Sequence, residues 1–382
     1  MALVVPPRVP ARHVYVHVPF CARRCSYCDF AIAVRRVVPV NEYVDALRKE
    51  LAVRFGEPAH AGLEPLDTLY LGGGTPSRLG GAGVAAALDA VRDWFPLAPD
   101  AEVTIEANPD DVSADAARAW RDAGVNRVSL GSQSFDRDVL RWMHRTHDVE
   151  QVGRAVDALR GAGIGNLSLD LIFAVPTALE RDWDRDLAHA LALAPDHLSL
   201  YGLTIEPGTP LGRWHERGTV AEADEDRYAD EFLRAHETMG AAGFEHYEVS
   251  NFGRPGRRSR HNSSYWRGVP YVGLGPAAHG FDGGVRRWNA AAYAEWVRQL
   301  ETGCDPVAGQ EQLQPADRAA ESVYLGLRTT DGLVLEPGEA ARVAPWIDQG
   351  WATLDGARLR LTAAGWLRLD ALAADLTVLR SR

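Results

Sequence analysis

Residues 17–30 read HVPFCARRCSYCDF and carry three of the four cysteines of a 382-residue chain. The spacing is Cys21-x3-Cys25-x2-Cys28. A structural zinc site needs four ligands and usually takes them from two such knuckles. No second knuckle is present, and His17, the nearest candidate for a fourth ligand, falls within a β-rich run. A cubane iron–sulfur cluster is held by cysteine thiolates. Three thiolates fix three irons and leave the fourth open to a small molecule. The fourth cysteine, Cys304, stands far away and reads as structural or incidental.

Working outward, short β-rich runs recur at 13–18, 67–73, 101–107, 126–131, 166–173 and 196–204. Between them lie Ala/Leu/Arg-rich stretches with helical spacing. In NEYVDALRKELAVRF (41–55), Tyr43, Ala46, Leu47, Leu51 and Val53 form an apolar stripe. Ser113 predicts an N-cap and Gly124 a stop for the helix between them. Six strand–helix repeats imply an α/β fold with parallel βα units. Alternation alone does not choose between an open doubly wound sheet and a barrel. In either, sites form at the carboxyl ends of strands. The cysteine loop, GGGTP (72–76), Glu106, Asn108 and Gln133 all follow strands and are expected to converge.

The organisation reads as a βα domain over 1–250, a basic then Gly-rich connecting segment over 251–310, and a compact tail over 311–382. The tail ends in two strands around Asp355–Gly356 and a helix, the pattern of a small winged-helix-like α+β domain. It holds eight Arg and no Lys against ten Asp plus Glu. That balance predicts a packing or partner domain and not a DNA reader.

The formal charge of −11 argues against general binding to nucleic acid or anionic membranes. No run of 18 apolar residues is present, so no transmembrane segment is expected. Peripheral membrane association stays open. The first residues are broken by Pro6, Pro7 and Pro10 and carry Arg8, unlike a signal peptide. A cytoplasmic location is expected, where clustered cysteines serve metal or redox chemistry more often than disulfides.

CxxxCxxC after a first strand, with Tyr27 before the last cysteine, resembles the radical S-adenosylmethionine (SAM) superfamily. The resemblance implies a TIM-like, partial (β/α)6 barrel and a [4Fe–4S] cluster whose open iron chelates the SAM amine and carboxylate. Reductive cleavage of a C–S bond then yields methionine and a deoxyadenosyl radical, with an electron donor such as flavodoxin or ferredoxin. YVHVPFCARRCSYCDF, LGGGTPS, TIEANP, GSQSF, DLIF and HLSLYGLTIEPGTP are similar to the branch around oxygen-independent coproporphyrinogen III oxidase. By that resemblance Cys21, Cys25 and Cys28 hold the cluster. Tyr15, Gly73, Gly74, Thr75, Glu106, Gln133, Arg145 and Asp170 bind SAM. Asp170 also stands out alone, as a carboxylate inside an apolar strand.

The oxidase branch has a further cysteine two residues after the last ligand, where this chain continues Asp29-Phe30. It also carries a longer segment before its first strand. His261-Asn262-x-x-Tyr265-Trp266 resembles the HNxxYW motif of HemW-type heme chaperones. There it implies heme binding through His261, Asn262, Tyr265 and Trp266, with His279 a second candidate ligand. Arg254, Arg257, Arg258 and Arg260 are candidates to pair with propionates. The expected function is a heme chaperone passing heme to an acceptor protein. Coproporphyrinogen oxidation and another radical SAM reaction such as methyl transfer are the alternatives.

Overall fold

The computed structural model describes residues 11–58 and 64–380. Pro6, Pro7, Arg8 and Pro10, used in the reading of the N-terminus, lie outside the described residues. Six strands run parallel: β1 (His13–Val18), β2 (Leu66–Gly73), β3 (Leu97–Ala107), β4 (Arg127–Gln133), β5 (Asn166–Phe173) and β6 (His197–Gly202). Each is bonded to the next in chain order, with helices between.

The sheet does not stop near residue 250. β7 (Glu245–Glu248) and β8 (Asn251–Gly253) follow β6 antiparallel at one edge, and β9 (Val272–Leu274) pairs parallel with β1 at the other. The order is β9-β1-β2-β3-β4-β5-β6-β8-β7, and its two ends do not pair, so the barrel is partial. Part of the connecting segment is therefore barrel sheet. Strands of three or four residues carry too little periodicity to be read locally.

The period-two alternation of strands explains the layering. Val14, Val16, Leu69, Leu71, Val103 and Ile105 are buried beneath the helices. Their neighbours form a polar lumen: His13 bonds Thr68, Tyr70 bonds Glu106, Ser129 bonds Asp170 and Ser168 bonds His197. Ser113 caps the helix Ala114–Asp122, accepting from the Ala116 amide at 3.1 Å, and Gly124 follows it at φ 92°. In the first helix, Val40–Phe55, Tyr43, Ala46, Leu47 and Leu51 are buried as the stripe predicts, but Val53 is 38% exposed. Glu50 is buried in its place.

Glu50 locks this helix to the returning chain. Its carboxylate accepts from Arg54 Nη1 at 3.1 Å, the Gly275 amide at 2.8 Å, Asn289 Nδ2 at 2.7 Å and Trp296 Nε1 at 3.0 Å. Four donors offset the desolvation of one buried carboxylate.

A small antiparallel sheet follows: β10 (His279–Phe281), β11 (Val285–Asn289) and β12 (Val307–Gln312). The tail then packs the helices Pro315–Arg328, Ala340–Asp348 and Leu369–Arg380 on strands β13 (Leu333–Val334), β14 (Ala352–Asp355) and β15 (Arg358–Leu361), ordered β13-β15-β14. Gly356 turns the hairpin at φ 59°. This unit docks on β7: Arg328 Nη2 pairs with Glu248 at 2.9 Å, and the Thr330 amide donates to the Tyr247 carbonyl at 2.9 Å. No helix among the described residues is long and apolar enough to cross a membrane.

Glu50→Ala strands a buried guanidinium and three further donors. Its expected cost is about 3–5 kcal/mol, measured by denaturant unfolding of the metal-free protein.

Candidate functional site

The cysteine loop is sewn to the barrel mouth by its backbone. The Ala33 amide donates to the Pro19 carbonyl at 2.7 Å and the Arg35 amide to Cys21 at 2.9 Å. The buried Ser26 donates to Met143 at 3.1 Å and accepts from the Leu211 amide at 2.8 Å. All three cysteines are free, half-buried and border one chamber of about 390 Å³. Burial pushes the Cys28 thiol up to about 11 and raises Cys21 as well, so binding a cation here releases protons. Among the described residues no three His, Cys, Asp or Glu side chains close on a single ion. His17 is engaged elsewhere, with Tyr15 Oη at 3.1 Å and the Ala31 carbonyl at 2.9 Å. Three thiols bordering one chamber, with His17 engaged elsewhere, suit a cubane cluster held at three of its irons.

The chamber opens at the carboxyl ends of the parallel strands. Gly73, Gly74, Thr75, Glu106, Gln133, Arg145 and Asp170 all border it. The glycines are sterically required. Gly73 has φ 112°, and a Cβ there would lie 2.6 Å from the His17 ring; one on Gly74 would lie 2.7 Å from the Pro19 carbonyl. Thr75 Oγ1 sits 3.3 Å from Cys21 Sγ. Arg145 donates to Asn108 at 2.7 Å, to the Gly131 carbonyl at 2.8 Å and to Cys25 Sγ at 3.4 Å. Gln133 holds a left-handed φ of 64° after a register shift in β4. Such strain in a non-glycine residue is tolerated where surroundings impose it, and no sequence pattern announces it.

Glu106 accepts from Tyr70 Oη at 2.8 Å and from the Gly73 amide at 3.0 Å. Burial raises it to about 7 against those two bonds, with Asp170 adding to the rise and Arg127 opposing it. Burial also raises Asp170, opposed by hydrogen bonds from Ser129 and Ser199. No sequence motif singles out Tyr70 or Ser129. Their signal was the alternation itself, since Tyr70 shares its face with Gly72.

Tyr15 is not among the residues bordering the chamber; it stacks on Tyr70 with centroids 6.1 Å apart. Pairing of Tyr15 with Tyr70 across β1 and β2 fixes that level.

The HNxxYW stretch is a seven-residue helix, Arg260–Trp266, closing the opposite, amino-terminal mouth of the barrel. Glu102, at the start of the parallel part of β3, accepts from the amides of Arg260 and His261 at 3.1 and 3.0 Å. A carboxylate suits a helix amino end. His261 is 1% exposed, and its ring stacks on Tyr70 at 4.9 Å. Nδ1 meets Thr68 Oγ1 at 2.7 Å and Nε2 meets Tyr265 Oη at 2.8 Å. Burial, with His13 and Arg127 nearby, pushes the imidazole down to about 3, so it is neutral. Both nitrogens are thus occupied, unlike those of an open heme ligand.

Tyr265, one turn on, is turned inward with His261, while Asn262 is half-buried and Trp266 faces a second cleft. The basic run is also committed. Arg254 donates to the Pro195 carbonyl, Arg257 pairs with Asp196, Arg258 with Glu245 and Asp331, and Arg260 with Asp100. His279 is exposed and stacks on Trp288.

Residues 15–190 match the family model of the radical SAM superfamily. Heme chaperone HemW of Mycobacterium tuberculosis is 40% identical over 371 residues, 95% of this chain and 94% of that protein. HemW of Synechocystis is 40% identical over 329 residues, 84% of this chain and 78% of that protein. This chain belongs to the HemW family of radical SAM proteins. The solved coproporphyrinogen III oxidase (HemN) of Escherichia coli superposes with a TM-score of 0.80 over 98% of this chain and 92% of that one, at 22% identity. That likeness shows a shared fold. The HemW-family chain has exposed Asp29 and Phe30 at the chamber mouth, Phe30 being 58% exposed.

His261→Ala removes a buried, stacked and doubly bonded ring, and is expected to cost about 2–4 kcal/mol in denaturant unfolding. Asn262→Ala is expected to stay within about 0.5 kcal/mol. The Glu106 carboxyl lies above its ordinary value when folded, near 7. Its contribution to stability is complete below about pH 4.5 and is lost as pH rises through about 7. Glu106→Gln should therefore stabilise the ligand-free protein at pH 8 relative to pH 5. The expected difference is about 1–2 kcal/mol, discounted because the carboxylate borders an open chamber.

Proposed function

We propose that this chain is a heme chaperone that holds a [4Fe–4S] cluster and SAM in the barrel-mouth chamber, binds heme, and passes it to an acceptor protein. The observation that carries the reading is near end-to-end similarity to proteins named heme chaperone, 40% identical over 95% of the chain. The chamber supports the cofactor half. Cys21, Cys25 and Cys28 would hold the cluster, which supplies an open iron and an electron when bound. Gly73, Gly74 and Thr75 would receive the amino-acid end of SAM, whose carboxylate suits the Arg145 guanidinium. Glu106 and Asp170 would accept hydrogen bonds from its amine and ribose.

For heme, the geometry supports dividing the motif residues. His261 and Tyr265 could reach iron only by giving up their mutual bond and leaving the lumen. We assign them to positioning the helix, and Trp266 to the ligand. The oxidase reading shares the fold, but Asp29 and Phe30 replace the added sulfur of that branch.

The test is an anaerobic heme titration of the cluster-reconstituted full chain, read by absorbance. Saturation at about one heme per chain is expected, with no carbon dioxide released from coproporphyrinogen and no S-adenosylhomocysteine formed. Cys25→Ser should lose the cluster. Turnover of coproporphyrinogen without saturable heme binding would replace the chaperone by the oxidase.

A further inference from the structure

The second cavity lies on the outer side of the Arg260–Trp266 helix. It is a cleft of about 530 Å³ between that helix, Phe281 and the C-terminal domain, within the size range of small-molecule sites. Its lining is mixed: the apolar side chains of Trp266, Phe281, Leu325, Leu333 and Val334 sit among charged and hydroxyl groups. Val334 is 54% exposed at the edge, an apolar side chain left in water. Trp266 is held from one side by the Arg328 guanidinium, 4.2 Å from its ring, and its Nε1 is buried with no hydrogen-bond partner.

The charges divide into used and unused. Arg258 and Arg380 border the cleft but are paired, with Glu245 and Asp331 and with Glu339. Arg267 and Arg318 also border it, and both are exposed. Among the described residues their guanidinium groups make no hydrogen bond or ion pair. Glu321, the nearby acid on the helix Pro315–Arg328, is occupied by Arg286 at 2.8 Å. Two unspent guanidinium groups beside an aromatic wall suit a flat apolar body bearing carboxylates, since arginine binds carboxylate through paired N–H donors.

No His, Cys or Met borders the cleft. Its one phenol, Tyr247, is bonded to His197 at 2.8 Å and to the Ser259 amide at 3.2 Å. The walls can grip a ring and its carboxylates but offer iron no ready ligand.

We infer that this cleft is the porphyrin seat, in which Arg267 and Arg318 take the carboxylates, Trp266 lies against the macrocycle, and the iron is not required for binding. This rests on the heme reading above and adds the place and the mode of recognition. The motif helix then serves both sides: His261 and Tyr265 face the lumen, and Trp266 faces the ligand.

The test compares heme, metal-free protoporphyrin IX and its dimethyl ester on the cluster-reconstituted full chain, by absorbance and tryptophan quenching. Metal-free protoporphyrin should bind within about threefold of heme, and the ester roughly tenfold or more weaker. The double variant Arg267→Glu/Arg318→Glu should weaken both acids by roughly tenfold or more, whereas Arg267→Lys/Arg318→Lys should retain most of the affinity. Both positions are exposed and unpaired, so iron content and unfolding midpoint should not move. Heme binding unchanged by the charge reversal, or binding that demands iron, would overturn the cleft while leaving the chaperone reading standing. A wild-type chain that takes up neither heme nor protoporphyrin would remove both.

Discussion

The ring of His261 lies on the ring of Tyr70, and the Tyr70 hydroxyl holds Glu106. This contact joins the two mouths of the barrel. One end closes on the motif helix and the other opens into the chamber that the cysteine loop borders. A partial barrel lacks the hydrogen bonds of a closed one, so its lumen must be filled by side chains that satisfy each other. Tyr70 suits that place because its ring packs on an imidazole while its hydroxyl reaches a carboxylate.

The polarity of the lumen follows from the same need. Parallel strands are covered by helices on the outside, so their outward residues are uniformly apolar. Their inward residues face a space too wide to fill with aliphatic side chains and still keep a chamber. His13, Thr68, Glu102, Ser168 and His197 are all buried there. Each polar group left unpaired would cost on the order of 1–3 kcal/mol, which accounts for the density of bonds among them. It also explains why His261 is neutral: the surroundings offer hydrogen bonds but not the solvation a cation needs.

The seven-residue motif helix is too short to be stable alone. It is held by Glu102 and Ser259 at its amino end, by His261 inside the barrel, and by Arg328 stacked on Trp266 outside. The C-terminal domain thus helps fix the helix as well as walling the outer cleft. Residues one turn apart share a face, so His261 and Tyr265 must go one way while Trp266 goes the other.

The cysteine spacing, the six strand–helix units and the glycine loop were legible locally, because short-range periodicity and turn chemistry dictate them. The alternation of β2 also puts Tyr70 on the inward face, two residues before Gly72. Local sequence supplies the chemistry: three thiols after a strand, carboxylates and an arginine near strand ends, and a motif rich in aromatic rings. How these groups are arranged is settled by tertiary contacts. They stack Tyr15 on Tyr70, commit the Arg254–Arg260 run to carbonyls and carboxylates, turn His261 inward, and leave Arg267 and Arg318 unpaired. The reason is that pairing partners come from distant elements. Asp100, Asp196, Glu245 and Asp331 reach the basic run only once the sheet and the C-terminal domain are assembled.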